Sequence, residues 1–223
     1  MILIVLAKAP ETGRVKTRCC PPCTPEQAAG LGLASLLDTL DVAMASNADR
    51  VALVIDGPVG SWLRTGIEVI PQRTGSLGER IDGAFEDVAG THPGAEPIFL
   101  VGMDTPQLTV GHLDRAASAL LERDVDAVVG PATDGGFWGL GLQRPVPDLC
   151  RAVPMSLDTT GAALLGQLRD RAMSYRILDT LTDFDDFDTA VSIAAAGLGK
   201  SRFVRAVGDI EVTDRTKAIG QPV

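Results

Sequence analysis

Apolar positions along the chain gather into short continuous runs, separated by longer stretches with helical spacing. The first run, Ile2 to Ala7, shows no polar alternation, which predicts a strand buried on both faces of a parallel sheet. A loop bearing Pro and Gly follows from Lys8 to Cys23. Thr24 then offers an N-cap, Pro25 the first helical position and Gln27 the capping-box partner, so a helix is expected to about Asn47. Arg50 to Asp56 is the second predicted strand, Val59 to Arg64 a short helix, and Ile67 to Gln72 the third strand. Ser76 with Glu79 opens a helix to about Ala89, Pro97 to Met103 is a fourth strand ending on Asp104, and Thr109 caps the next helix. Asp126 to Ala132 and Phe137 to Leu142 read as strands on either side of an Asp134-Gly135-Gly136 turn. A helix from Asp158 or Thr159 to Ala172, a last strand at Tyr175 to Asp179 and a helix after Asp186 complete the pattern. Beyond Leu198 the periodicity fades, so residues 1–198 are expected to form one domain and 199–223 a peripheral arm or tail.

Strands alternating with helices predict a three-layer α/β/α domain with a mostly parallel sheet and right-handed crossovers. The length of 223 residues and a hydrophobic fraction of 45% suffice for a core on both faces of that sheet. Ligands of such sheets bind outside the carboxyl ends of the strands, so the loops after Ala7, Gln72, Met103 and Ala132 are the ones to search.

Charge and cysteine content narrow the partners. A formal charge of −9 disfavours nucleic acid, whose partners present a basic face. No apolar run is longer than a buried strand needs, and the first lacks the basic start and cleavage site of a signal peptide. A cytoplasmic protein without a membrane span is expected, and its four cysteines are expected to be reduced. Cys20-x-x-Cys23 within CCPPC invites a zinc reading, but a structural site needs four ligands, and Cys150, His92 and His112 stand singly. Thiols in a loop are expected there.

The loop KAPETGRVKTR places Lys8, Arg14, Lys16 and Arg18 within eleven residues of an acidic chain. Bound phosphates give a reason for this inversion of charge, with Gly13 letting the backbone present its N–H groups. A solvated basic loop fits the composition equally well. It is not a P-loop, because Arg14 and Val15 separate Gly13 from Lys16-Thr17. Asp104, at the end of the expected fourth strand, reads as a ligand-binding carboxylate or as an Asx turn with Thr105 and Pro106. In GPATDGGFWGLGL the paired Gly135 and Gly136 permit close approach of a ligand or a tight hairpin, and Asp134 either contacts an acceptor or sugar hydroxyl or ends the strand. Asp183, Asp185, Asp186 and Asp188 precede a helix, where acidic residues favour the dipole; one of them could join Asp104 around a hard cation.

Taken in order, KAPETGRVKTR, Gln72 with LGER at Leu77 to Arg80, VGMDTP and GPATDGG resemble the DUF2064 family of bacterial proteins, within the GT-A nucleotide-diphospho-sugar transferase superfamily. More distantly they resemble the guanylyltransferases of molybdenum-cofactor and F420 biosynthesis. The resemblance covers about residues 1–190 and implies a Rossmann-like GT-A domain. It implies that the first loop (Lys8, Ala9, Pro10, Gly13, Arg14, Lys16, Thr17, Arg18) holds phosphates and that Gln72 and Gly75 lie near the base. Asp104 and Asp185 would bind Mg²⁺ or Mn²⁺, with Asp134, Gly135 and Gly136 completing the site. Thr12, Cys19, Met155 and Thr189 depart from the family's usual residues, Met155 on the acceptor side. The expected activity is metal-dependent transfer from a nucleotide-sugar to a small-molecule acceptor. Nucleotidyl transfer to a phosphorylated small molecule, or nucleotide binding without catalysis, are the alternatives. The preference for glycosyl transfer is an analogy of fold.

Overall fold

Strand β1 (Ile2–Lys8) is the hub of a seven-stranded sheet, pairing in parallel with β2 (Arg50–Asp56) on one side and β4 (Ile98–Gly102) on the other. With β3 (Glu68–Pro71), β5 (Ala127–Pro131), β6 (Phe137–Leu142) and β7 (Tyr175–Ile177), the order is β3-β2-β1-β4-β6-β5-β7. The computed structural model describes residues 1–219 except 95, 197, 198 and 200, and along 211–219 the backbone alone. Among the described strands only β6 runs against its neighbours, because the short turn after β5 folds it straight back. Order along the sheet reverses between β1 and β4, which creates a crevice at their carboxyl ends.

Side chains of β1 alternate between two cores. Leu3 and Val5 join Leu36 and Leu40 of α1 (Pro25–Ala45) and Leu113 and Leu120 of α3 (Val110–Leu120). Ile2 and Ile4 join Ile81 and Phe85 of α2 (Leu77–Thr91) and Leu164 and Leu168 of α4 (Thr160–Asp170). Helices therefore cover both faces, and each fully buried Leu, Ile or Phe adds roughly 1.5–3 kcal/mol relative to exposure. α1 is long and apolar enough to cross a membrane by length and composition, but 56% of its most apolar window is buried in this domain.

Capping boxes at Thr24 with Gln27 and at Ser76 with Glu79 start α1 and α2 where the sequence places them. The helix expected over Val59 to Arg64 does not form. Gly57, Pro58 and Gly60 interrupt a segment too short to nucleate, and a single turn, with Leu63 N–H on the Gly60 carbonyl, brings Trp62 and Leu63 against the core.

The stretch expected as an arm contains helix α6 (Arg202–Ile219); residues 220–223 lie outside the described residues. Phe203, Val207 and Ile210 of α6 are buried with Leu31 of α1 and with Phe187 and Ile193 of α5 (Phe187–Ala195). Asp38 of α1 accepts from the Phe203 N–H at 2.9 Å and pairs with Arg202, satisfying the start of α6. Cys19 and Cys23 belong to this same core. All four cysteines are thiols, yet these two are packing residues rather than mere occupants of a loop.

Candidate functional site

The loop after β1 is tied down at both ends. Ala9 N–H bonds the Asp56 carbonyl at 2.8 Å, and a 3₁₀ turn at Thr17–Cys19 delivers Cys19 into the α5–α6 core. Between these anchors Gly13 has φ +77° and Lys16 has φ 51°, a left-handed conformation uncommon for a residue with a side chain. The result is a lysine turned inward, its side chain only 8% exposed. Its ammonium lies 2.8 Å from Asp104 Oδ1 and 4.0 Å from Asp185 Oδ1, donates to the Phe184 carbonyl, and stands 3.9 Å from the centre of the Phe184 ring. Arg18 Nη1 reaches Asp185 Oδ2 at 2.9 Å from an exposed position, and Arg14 pairs with Glu11 and more loosely with Asp56.

Asp104 follows β4 at the crevice. Its neighbours are fixed by the backbone: the Met103 carbonyl accepts the buried Ser35 hydroxyl at 2.6 Å, and the Asp104 carbonyl accepts the Phe184 N–H at 3.0 Å. The second of these bonds draws residues 183–185 beside residue 104. Thr105, almost fully buried, donates its hydroxyl to Asp183. Burial pushes the Asp183 carboxyl up to about 6, with the charges of Asp104 and Asp134 adding to the rise and the Thr105 hydrogen bond and Lys16 opposing it. In the sequence Asp183 stands in an acidic group before a helix, one member of which could join Asp104 around a cation; its burial depends on a contact with Thr105 far away in the chain.

In the turn after β5, beside residues 181–183, Asp134 Oδ1 accepts the Gly136 N–H at 2.8 Å, an Asx turn that holds its carboxylate at the cleft. Gly135 has φ +88° and its carbonyl accepts the Gly161 N–H at 2.7 Å, while a Cβ there would stand 1.9 Å from the Asp158 carbonyl oxygen. Close backbone packing against the start of α4 requires this glycine. Ser156, with φ 61°, and Leu157, half exposed, edge the cleft beside it.

At the end of β3, Gln72 N–H bonds the Ile55 carbonyl, and its side-chain Oε1 accepts from Arg80 Nη1 at 2.8 Å. Arg80 Nε is shielded from solvent and has no hydrogen-bond partner among the described residues. Gly75, at φ +121°, leads into the α2 cap.

These parts line one open cleft of about 670 Å³, within the ordinary range for small-molecule sites. Of the residues expected in the site, Lys8, Arg14, Lys16, Thr17, Arg18, Gln72, Asp104, Asp134, Gly136 and Asp185 line it. Ala9, Pro10, Gly13, Gly75 and Gly135 do not; they shape the loops behind it. Arg80 of the LGER motif, Asp183 of the acidic group and Met155, noted on the acceptor side, line it as well, together with Ser156, Leu157 and Asp158, which had no expected place in the site.

Whether the carboxylates suit a hard cation is a question of donor chemistry. Asp104 and Asp185 both face the Lys16 ammonium, so they converge on a position that accepts positive charge. Among the described residues no cluster of three acidic, His or Cys ligands forms. The pair therefore fits a divalent ion held jointly with phosphate oxygens and water, which needs only one or two protein carboxylates, and not a closed cage.

This sheet order, with its crevice at the β1–β4 reversal, defines the class: a Rossmann-like α/β fold with a mostly parallel seven-stranded sheet. The chain belongs to the family described as "Uncharacterized protein conserved in bacteria (DUF2064)", whose profile matches residues 33–157. Among solved structures it is similar to a candidate nucleotide-diphospho-sugar transferase from Desulfovibrio desulfuricans G20. That match has a TM-score of 0.82 and 22% identity, over 96% of this chain and 97% of the other. A nucleotidyl transferase from Methanothermobacter thermautotroptrophicus matches with a TM-score of 0.61 and 15% identity over 92% and 98%. A cytidylyltransferase from Leptospira borgpetersenii matches with 0.54 and 12% over 100% and 98%. No curated protein matches by sequence.

Proposed function

We propose that this chain is a metal-dependent cytoplasmic transferase that takes a nucleotide-sugar donor and passes its glycosyl group to a small-molecule acceptor. The observation that carries the reading is the Lys16–Asp104–Asp185 cluster at the carboxyl ends of β1 and β4, within a cleft that also presents Gln72 and Arg80. Likeness in fold to the Desulfovibrio protein supports the choice of donor.

In this reading Arg14, Lys16, Thr17 and Arg18 bind the donor's phosphates, and Lys8 to Gly13 shape the loop that presents them. Gln72 lies against the base, with Gly75 setting the turn beyond it. Asp104 and Asp185 would hold Mg²⁺ or Mn²⁺, which supplies neutralisation of charge on the departing phosphate. Lys16 moves its ammonium from Asp104 onto a phosphate oxygen as the donor arrives. Asp134, fixed by its bond from Gly136, orients an acceptor hydroxyl in the cleft. Residues 1–198 form the transferase unit, and α6 braces it through α1.

A second reading, nucleotidyl transfer to a phosphorylated small molecule, draws support from the likeness to the Methanothermobacter and Leptospira enzymes. A panel of nucleotide-sugars and NTPs with Mn²⁺ and a metabolite extract separates the two. Release of a nucleoside diphosphate supports glycosyl transfer, release of pyrophosphate supports nucleotidyl transfer, and binding without turnover leaves a non-catalytic module. A protein that no nucleotide stabilises thermally, with or without Mn²⁺, contradicts all three.

A further inference from the structure

We infer that the base end of this cleft selects an oxo base, a 6-oxopurine or a 4-oxopyrimidine, over its 6-amino or 4-amino counterpart, an inference that rests on the nucleotide reading above. Arg80 Nη1 donates a hydrogen bond to Gln72 Oε1 at 2.8 Å. A guanidinium can only donate, so this bond fixes which end of the Gln72 amide is oxygen and turns its NH₂ away from Arg80. One of the two lone pairs of the amide oxygen is thereby engaged, while both N–H donors remain. Arg80, which lines the cleft and can only donate, adds further donors, and its buried Nε–H meets no acceptor among the described residues. A buried donor left in this state is destabilising until something accepts from it.

The nearest carboxylate on the same helix does not restore acceptor character. Glu79 is turned back to the Ser76 N–H at 2.8 Å and to Arg151 at 3.1 Å. The cleft's acidic groups, Asp104, Asp134, Asp158, Asp183 and Asp185, come from the loops after β4, β5, β6 and β7. Leu77 and Ile81, next to Arg80 on α2, also line the cleft and give apolar surface to a planar ring. A base placed here meets N–H donors on its polar edge. Guanine O6 and N7, or uracil O4, accept from them; the exocyclic amino group of adenine or cytosine would set donor against donor.

Calorimetry on the full chain with Mn²⁺ and each of GDP, ADP, UDP and CDP reads this directly. The expected result is GDP over ADP and UDP over CDP by about tenfold or more, the discrimination typical of one well-placed pair of hydrogen bonds. Gln72→Glu keeps the side-chain shape and an oxygen for Arg80 but replaces the amide donors with an acceptor, so the preference is expected to shrink or invert. Equal binding of oxo and amino bases, or an unchanged ranking in a folded Gln72→Glu variant, overturns the inference while leaving the nucleotide reading standing. Failure of all four diphosphates to bind removes both. The wild-type ranking decides the matter even where the variant does not fold.

Discussion

The ammonium of Lys16 stands 2.8 Å from Asp104 Oδ1, joining residues that the sequence assigned to separate tasks, one to phosphate and one to metal. In the free protein each satisfies the other. With a side chain 8% exposed, Lys16 cannot simply be solvated, so the loop's left-handed turn at this residue serves to deliver its charge to the carboxylates. A donor carrying its own cation would compete for both partners, which makes the pair the natural point of coupling between metal and nucleotide.

Removing either cation tests the phosphate role of the loop. Lys16→Ala and Arg18→Ala are each expected to weaken nucleotide binding, by up to about 1.5–3 kcal/mol, the range for hydrogen bonds to charged groups. The Lys16 effect should be the larger, since Arg18 is 75% exposed and exposed pairs contribute little. Unchanged affinity in both variants by calorimetry would return the cluster to a solvated basic loop.

Cysteines 20 and 23 are expected to matter for stability and not for ligand binding. Cys23 is 4% exposed, so the double change Cys20→Ser, Cys23→Ser places a hydroxyl in the α5–α6 core and should cost about 1–3 kcal/mol in denaturant unfolding. Nucleotide affinity of the folded variant should match that of the parent. Stoichiometric zinc in the parent, lost in the variant, would contradict this.

Gly135→Ala probes the turn beneath the acceptor wall. Its φ of +88° costs an alanine about 1–3 kcal/mol before any contact is counted, and the new Cβ would overlap the Asp158 carbonyl. A marked fall in melting temperature is expected, together with weaker acceptor use. Parent-like stability would mean that the β5–β6 turn packs differently against α4.

The α2 capping box carries a signed pH dependence. Ser76→Ala should cost about 1 kcal/mol near neutrality. Hydrogen bonding to the Ser76 N–H and hydroxyl holds the Glu79 carboxyl below its ordinary value of 4.5. A carboxyl depressed in the folded state stabilises above its unfolded pKa and loses that contribution as pH falls through its folded one. Glu79→Ala should therefore be destabilising at pH 7 and nearly neutral at pH 3. A penalty of equal size at both pH values would show that the carboxylate's charge plays no part.

Much of the scaffold is written in local pattern. β2 occupies the expected span from Arg50 to Asp56, and the caps at Thr24, Ser76 and Thr109 open the expected helices, because such signals depend on residues within one turn. The strand ends likewise marked the loops that carry Lys16 and Asp104, though not the pairing of the two residues. What escaped depends on contacts distant in sequence: the Thr105–Asp183 bond, the Arg80–Gln72 bond and the burial of Cys19 by Phe184 and Phe203. Helix α6 was hidden differently. Phe203, Val207 and Ile210 recur at helical spacing, but the strip is narrow and lies among charged residues.

Asp104→Asn is the most direct test of the site. The substitution keeps the shape and leaves the backbone bond to Phe184 intact, while removing the charge that a hard cation requires. The measurement is the melting temperature of parent and variant with nucleotide, with and without Mn²⁺. The expected result is a variant that folds with a melting temperature close to that of the parent but gains no Mn²⁺-dependent stabilisation by nucleotide. A severe loss of stability without ligand, or Mn²⁺-dependent stabilisation equal to the parent's, would contradict the assignment of Asp104 to the metal and turn the search to Asp134.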